Sequence, residues 1–165
     1  MPASLPEEVT RVFEKALSCE LSTVGKNGGP VTFPVMAMWR PENTEFHLVT
    51  GIGLPKKIYN MRRDDRVSLL FSEFAGSGLH APPDVLVQGR ATVGEEVLGV
   101  SGLEDFWEEF FRRKPYAIEA LALSPDAHAS ISPAFMWRVR IRVAPERVFT
   151  LRHDPNGDQR LERVR

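Results

Sequence analysis

The chain has 165 residues, 42% of them hydrophobic and 26% charged, with a formal net charge of −1. This is the composition of one globular domain, long enough to bury about two-thirds of its unfolded surface, so residues 1–165 are expected to form a single unit. A charge this near zero gives no general affinity for nucleic acid or an anionic membrane. No apolar run approaches the roughly 20 residues that span a bilayer, and the first residues lack the basic start and apolar core of a signal peptide. A cytoplasmic location is therefore expected. One cysteine, Cys19, leaves no internal disulfide and no cysteine-based zinc cluster.

Ser4-Leu5-Pro6-Glu7 has the spacing of a capping box, and the helix it opens, over 5–17, carries Val9, Val12, Phe13, Ala16 and Leu17 on one face. From Cys19 the period changes to two: Cys19, Leu21 and Thr23 alternate with Glu20 and Ser22, which predicts a strand. Gly25-Lys26-Asn27-Gly28-Gly29 reads as a hairpin turn. A second strand then runs from Pro30 to Trp39, and Pro41-Glu42-Asn43 turns into a third, Glu45 to Thr50.

Residues 51–61, Gly-Ile-Gly-Leu-Pro-Lys-Lys-Ile-Tyr-Asn-Met, look built to hold a phosphate. Gly51 and Gly53 let the backbone turn and approach a ligand. Pro55 suits an early helical position, where its missing N–H costs nothing, and Leu54, Ile58 and Met61 share one helical face. A helix N-terminus offers unpaired N–H donors and partial positive charge. Lys56 and Lys57 add two full charges at that same end, which opposes the helix dipole unless an anion offsets them. Two solvated lysines on a surface helix would give the same residues.

Arg66 to Phe71 is a compact strand, residues 73–83 an irregular loop, and Val85 to Val93 alternates again. Leu103, Phe106, Trp107, Phe110 and Phe111 stripe a helix over 102–113, with acids early and bases late as the macrodipole favours. A second short helix is expected over Tyr116 to Leu123, making a helical insertion of about 101–123. The last two strands are Phe135 to Val143 and Arg147 to Leu151, with Pro145 in the turn between them, and the polar tail after Asp154 is expected to fray. Meandering strands, short turns and few helices suggest a mainly β fold, a small antiparallel barrel with peripheral helices.

These elements in this order resemble the split β-barrel family that binds flavin mononucleotide (FMN), typified by pyridoxamine 5′-phosphate oxidase. The matching segments are Gly29-Pro30-Val31-Thr32-Phe33-Pro34-Val35, Val49-Thr50, Lys56-Lys57-Ile58-Tyr59-Asn60-Met61, Arg62 to Leu70, and Val85-Leu86-Val87-Gln88-Gly89-Arg90-Ala91. The resemblance implies an antiparallel split barrel, a homodimer, and a flavin-type cofactor at the subunit interface serving redox chemistry on a small-molecule substrate. It places Thr32, Phe33, Pro34 and Val35 against the cofactor ring and Thr50, Lys56 and Lys57 at the phosphate, with Val49 beside them as a further cofactor-binding candidate. Asp84 stands where the oxidases have a glutamine and Phe33 where they have an arginine, while Trp137 is a candidate ring-stacking residue. Arg152-His153-Asp154 lacks the spacing of the oxidases' substrate-phosphate signature, so B6-oxidase activity is not expected. FMN is the expected cofactor, with a deazaflavin coenzyme as the alternative. A carrier or sensor that holds flavin or haem without turnover is the reading from another class.

Other chemistries find little support. The four histidines, His47, His80, His128 and His153, stand without a Gly-x-Ser-x-Gly or cysteine motif, and none pairs at metal-ligand spacing with a third ligand. His80, before Pro82-Pro83, is the best candidate for a site-lining histidine. Trp107 is explained by its helical stripe, and Cys19 as a small core residue. Hydride chemistry asks little of side chains, because the cofactor carries the reaction.

Overall fold

In the computed structural model, residues 5–117 and 133–165 are described. The elements are α1 (Glu7–Lys15), β1 (Cys19–Val24), β2 (Pro30–Val35), β3 (Met38–Arg40), β4 (Glu45–Gly51), α2 (Lys56–Arg63), β5 (Arg66–Phe71), β6 (Asp84–Leu98), α3 (Glu104–Arg113), a 3-10 turn (Pro133–Met136), β7 (Arg138–His153) and β8 (Gln159–Arg163). All strands pair antiparallel, in the order β2-β1-β5-β6-β7-β4-β3, with β8 added to β7. The two ends of that path, β2 and β3, are joined in the chain by Met36-Ala37 alone. The sheet therefore curls back on itself into a split barrel, and the split runs along the outer edge of β2.

Alternation decides what fills it. Cys19, Leu21 and Thr23 of β1, Val67, Leu69 and Phe71 of β5, and Phe46, Leu48 and Thr50 of β4 point inward and are buried. The helix α1 closes one end with Val9, Val12 and Phe13, whose ring meets Trp39, Phe46 and Phe71 at centroid distances of 5.1, 4.7 and 5.2 Å. A second cluster lies outside the barrel, where Leu103, the N-cap of α3, and Phe106 and Trp107 within it cover Met36 and Met38. Asp105 anchors that helix by accepting from Arg40 at 2.7 Å and from Arg140 at 2.7 and 3.1 Å. Buried Arg113 adds bonds to the carbonyls of Ala16 and Ala37 at 2.9 and 3.2 Å.

The structure corrects several sequence-based expectations. The first helix starts at Glu7 with Pro6 as N-cap and no side-chain cap, and Ser4 lies outside the described residues. The second strand stops at Val35, because Met36-Ala37 carry the chain across the split. Leu54 is 66% exposed and does not share the buried face of Ile58 and Met61. The last two predicted strands are one continuous β7: Pro145 sits opposite Gly89 at a bulge, not in a turn. A Cβ at Gly89 would stand 2.2 Å from the Ala144 carbonyl oxygen, so only glycine lets β7 pass there. The tail does not fray completely, since Phe149 to His153 pair with Gln159 to Arg163. The second insertion helix falls mostly outside the described residues.

Candidate functional site

The β1–β2 hairpin defines what the split can bind. Its turn closes with Gly25 N–H donating to the Gly29 carbonyl at 2.7 Å and Gly28 N–H to the Gly25 carbonyl at 2.9 Å, with Gly28 at φ 84°. This is a turn with a glycine bulge. Gly25 and Gly29 form a bonded pair, and bonded and unbonded pairs alternate along an antiparallel ladder. In the observed register Val31, Phe33 and Val35 therefore bond to Thr23, Leu21 and Cys19, while Pro30, Thr32 and Pro34 turn their backbone groups outward. Both prolines fall at outward positions, where no N–H is needed for the ladder. The free edge thus presents one donor, Thr32 N–H, flanked by the carbonyls of Pro30, Thr32 and Pro34. The prolines also protect the edge from adding another strand. Thr32 and Pro34 are exposed, and Phe33 and Val35 are half-buried. The Thr32 hydroxyl is bonded to Ser22 Oγ at 2.8 Å.

The other half of the site follows β4. Val49 faces outward into the second cluster, whereas Thr50 faces inward and is 4% exposed. Its Oγ1 is buried with no hydrogen-bond partner, which costs about 1–3 kcal/mol of lost solvation. Beyond the loop 51–55, α2 begins with Pro55 as N-cap and has no acidic residue in its first turn. Lys56 is exposed. Lys57 is 7% exposed, and its Nζ stands 4.5 Å from the centre of the Phe33 ring. Burial pulls the Lys57 ammonium below its ordinary value. An aromatic face attracts a cation by about 0.5–2 kcal/mol, a modest return for burying it. A buried hydroxyl at the end of β4 and a buried ammonium in the first turn of α2, a helix without a side-chain cap, thus flank the loop 51–55 in the chain, and neither has a carboxylate partner among the described residues.

Gly51 and Gly53 do not adopt left-handed φ. At Gly51 an added Cβ would stand 3.0 Å from Arg138 Nη1, so the glycine lets this guanidinium lie close over the backbone. That arginine was missed in the sequence, although its register opposite Gly51 is the signal that marks it. Its Nη1 donates to the Trp137 carbonyl at 3.1 Å, the same carbonyl that accepts Ile52 N–H at 3.2 Å, and its guanidinium lies 5.6 Å from the Trp107 ring centre. Trp137, 44% exposed, therefore borders the loop before α2. Asp84 does not join this group within one chain. It pairs with Leu151 and lies 3.6 Å from His153 Nε2, at the far end of β7 from Val139, the partner of Thr50. His80 is on the surface loop beside Arg11 and Glu8, away from the split, and His128 lies outside the described residues. Cys19 is buried, which raises its thiol well above the ordinary range.

A cleft of about 380 Å³ opens on the outer sheet face over Ser22, Ser68 and Gln88. Two of its arginines are already paired, Arg66 with Asp64 and Arg90 with Asp65 and Glu146, so it shares with the site above only the β1–β2 hairpin. No described helix is long and apolar enough to cross a membrane.

A sequence model described as pyridoxamine 5′-phosphate oxidase matches residues 5–152. No curated protein sequence matches the chain. Among solved structures, an F420 reductase superposes with a TM-score of 0.59 at 17% identity, over 87% of this chain and 98% of that one. The haem storage protein HutZ from Vibrio cholerae superposes with a TM-score of 0.56 at 16% identity, over 90% and 95%. General Stress Protein 26 from Bacillus anthracis does so with 0.53 at 15%, over 96% and 97%. At these identities the similarity establishes the shared fold.

Proposed function

The chain belongs to the pyridoxamine 5′-phosphate oxidase family, and from that premise we propose that it is a flavin-dependent oxidoreductase binding FMN at a homodimer interface. The observation that carries this reading is that two buried groups without an anion flank the loop 51–55, Thr50 Oγ1 at the end of β4 and Lys57 Nζ in the first turn of α2. A phosphate monoester satisfies both, along with the free N–H groups of the first helical turn. The edge of β2 supports the other end of the same ligand. A flavin's pyrimidine portion carries one N–H beside a carbonyl, and Thr32 N–H with one neighbouring backbone carbonyl can pair with that couple, the N–H donating to the flavin carbonyl and the strand carbonyl accepting from the flavin N–H. Phe33 lies between, beneath Lys57.

When bound, the flavin supplies the redox chemistry, and the protein supplies orientation, water exclusion and ring electronics. Met36 and Met38, roofed by Leu103, Phe106 and Trp107, give an apolar wall to the segment that follows the ring-binding strand. A twofold partner would bring a second Asp84 and the end of a second β7 to the split, which one chain cannot do. The substrate is a small molecule other than pyridoxamine phosphate, since Phe33 and the Arg152-His153-Asp154 spacing depart from the oxidases' pattern.

A deazaflavin coenzyme is the second reading. Gly53 has open space where a Cβ would stand and Lys56 is exposed, which leaves a way out for an acidic tail beyond the phosphate. The F420 reductase similarity agrees with it. The test is an absorbance spectrum and mass measurement of whatever copurifies, followed by anaerobic NADPH. FMN that is reduced at a useful rate supports an enzyme. A bound flavin or haem that stays unchanged with NADPH and with reduced deazaflavin makes the protein a carrier or sensor.

A further inference from the structure

The two halves of the proposed cofactor site belong to different elements, β2 for the ring and α2 for the phosphate, and two links join them. One is Lys57 over Phe33. The other is a buried relay. Asn60, one helical turn after Lys57 and 3% exposed, donates from Nδ2 to Thr23 Oγ1 at 3.0 Å. Thr23, 1% exposed, donates in turn to the Val31 carbonyl of β2 at 3.2 Å. Arg63 fixes the amide by donating to Asn60 Oδ1 at 3.1 Å and, from the same nitrogen, to the Val24 carbonyl at 2.7 Å. With Asn60 Nδ2 donating to a hydroxyl and Oδ1 accepting from a guanidinium, which cannot accept, the amide has one orientation.

The two links respond differently to a ligand. An anion at the start of α2 attracts Lys57 Nζ away from the Phe33 ring and dissolves the first link when it binds. The relay then remains as the hydrogen-bonded path from α2 through β1 to the β2 backbone. We infer that Asn60 and Thr23 are positioning residues that set the spacing between the phosphate half-site and the ring half-site, rather than touching the cofactor. This rests on the phosphate reading above. A ligand with both groups gains over a ligand with one because the second contact is intramolecular, and that gain is lost when the two half-sites are free to drift.

The experiment measures binding of FMN and of riboflavin to the full-length protein, by flavin fluorescence, in the parent and in Asn60→Ala, Thr23→Val and Thr23→Ser. Thr23→Val keeps the shape of the side chain and breaks the relay, and it decides the matter if Asn60→Ala fails to fold. The expected result is that the ratio of FMN to riboflavin affinity falls at least tenfold in Asn60→Ala and Thr23→Val, riboflavin affinity itself changes less than threefold, and Thr23→Ser retains the parent ratio. An unchanged ratio in a folded relay variant overturns the inference, whether both affinities hold or fall together. Lys57→Met separates the two claims. If it abolishes the FMN preference while Thr23→Val does not, the phosphate site stands and the positioning role is wrong. If the parent shows no preference for FMN, both fall.

Discussion

Lys56 and Lys57 are neighbours in sequence with opposite surroundings, and that contrast is a prediction. Lys57 is buried and has no carboxylate partner among the described residues, while Lys56 is in solvent. A charged hydrogen bond in such a site is worth about 1.5–3 kcal/mol, whereas exposed charge pairs give about 0.2–1 kcal/mol. Lys57→Met should therefore weaken FMN binding by about tenfold or more and Lys56→Ala by only a few-fold, both read by fluorescence titration. Thr50→Val separates stability from function. It removes a buried hydroxyl that has no partner in the ligand-free protein, so the midpoint of thermal unfolding should rise while FMN affinity falls by about fivefold. A variant that loses stability and keeps its affinity would show that Thr50 serves only the barrel core.

At the scale of elements, α3 is held to the sheet by charge as well as by its aromatic stripe. Bonds from Arg140 first, and then from Arg40, hold the Asp105 carboxyl down at about 2. Its folded value lies below the unfolded one, so the anchor contributes stability above about pH 4 and loses it as pH falls through about 2. Asp105→Asn should flatten the acid limb of stability between those values, read from tryptophan fluorescence on acid titration. Arg113 is a stronger anchor, because its loss removes a buried donor from the carbonyls of Ala16 and Ala37 and leaves the Glu109 carboxylate to Arg112 alone. Arg113→Leu should cost about 3 kcal/mol in chemical denaturation.

The same elements show how much could be read before the fold was known. Strands β1, β4 and β5 and the stripe of α3 follow directly from period, because one face of each is buried. β8 has no such face. All five of its residues are exposed, so hydrophobic pattern could not reveal it, and only the register offered by β7 does. Pro145 is a turn residue by propensity but fits a strand where Gly89 creates a bulge. The loop 51–55 and the start of α2 were legible from Gly51, Gly53 and Pro55. The Asn60-Thr23-Val31 relay was not, because a threonine in a strand and an asparagine in a helix carry no sign of facing each other.

For the whole molecule, the path from β2 to β3 through Met36-Ala37 leaves a barrel open along one edge. A cofactor on that edge is covered on one side only, and Asp84 is out of reach within the chain. In the proposed homodimer a twofold partner would supply both the cover and the second Asp84. Light scattering at micromolar concentration should give twice the mass of one chain, and a monomer that still binds flavin tightly would remove the shared-interface arrangement. The central claim is that Lys57 and Thr50 hold the phosphate of a flavin whose ring lies on β2. Titrating FMN and riboflavin into the parent and Lys57→Met proteins tests it most directly. Saturation at one flavin per chain, an FMN preference of at least tenfold, and loss of that preference in Lys57→Met are expected; equal affinity of the parent for the two flavins would rule out a phosphate site here.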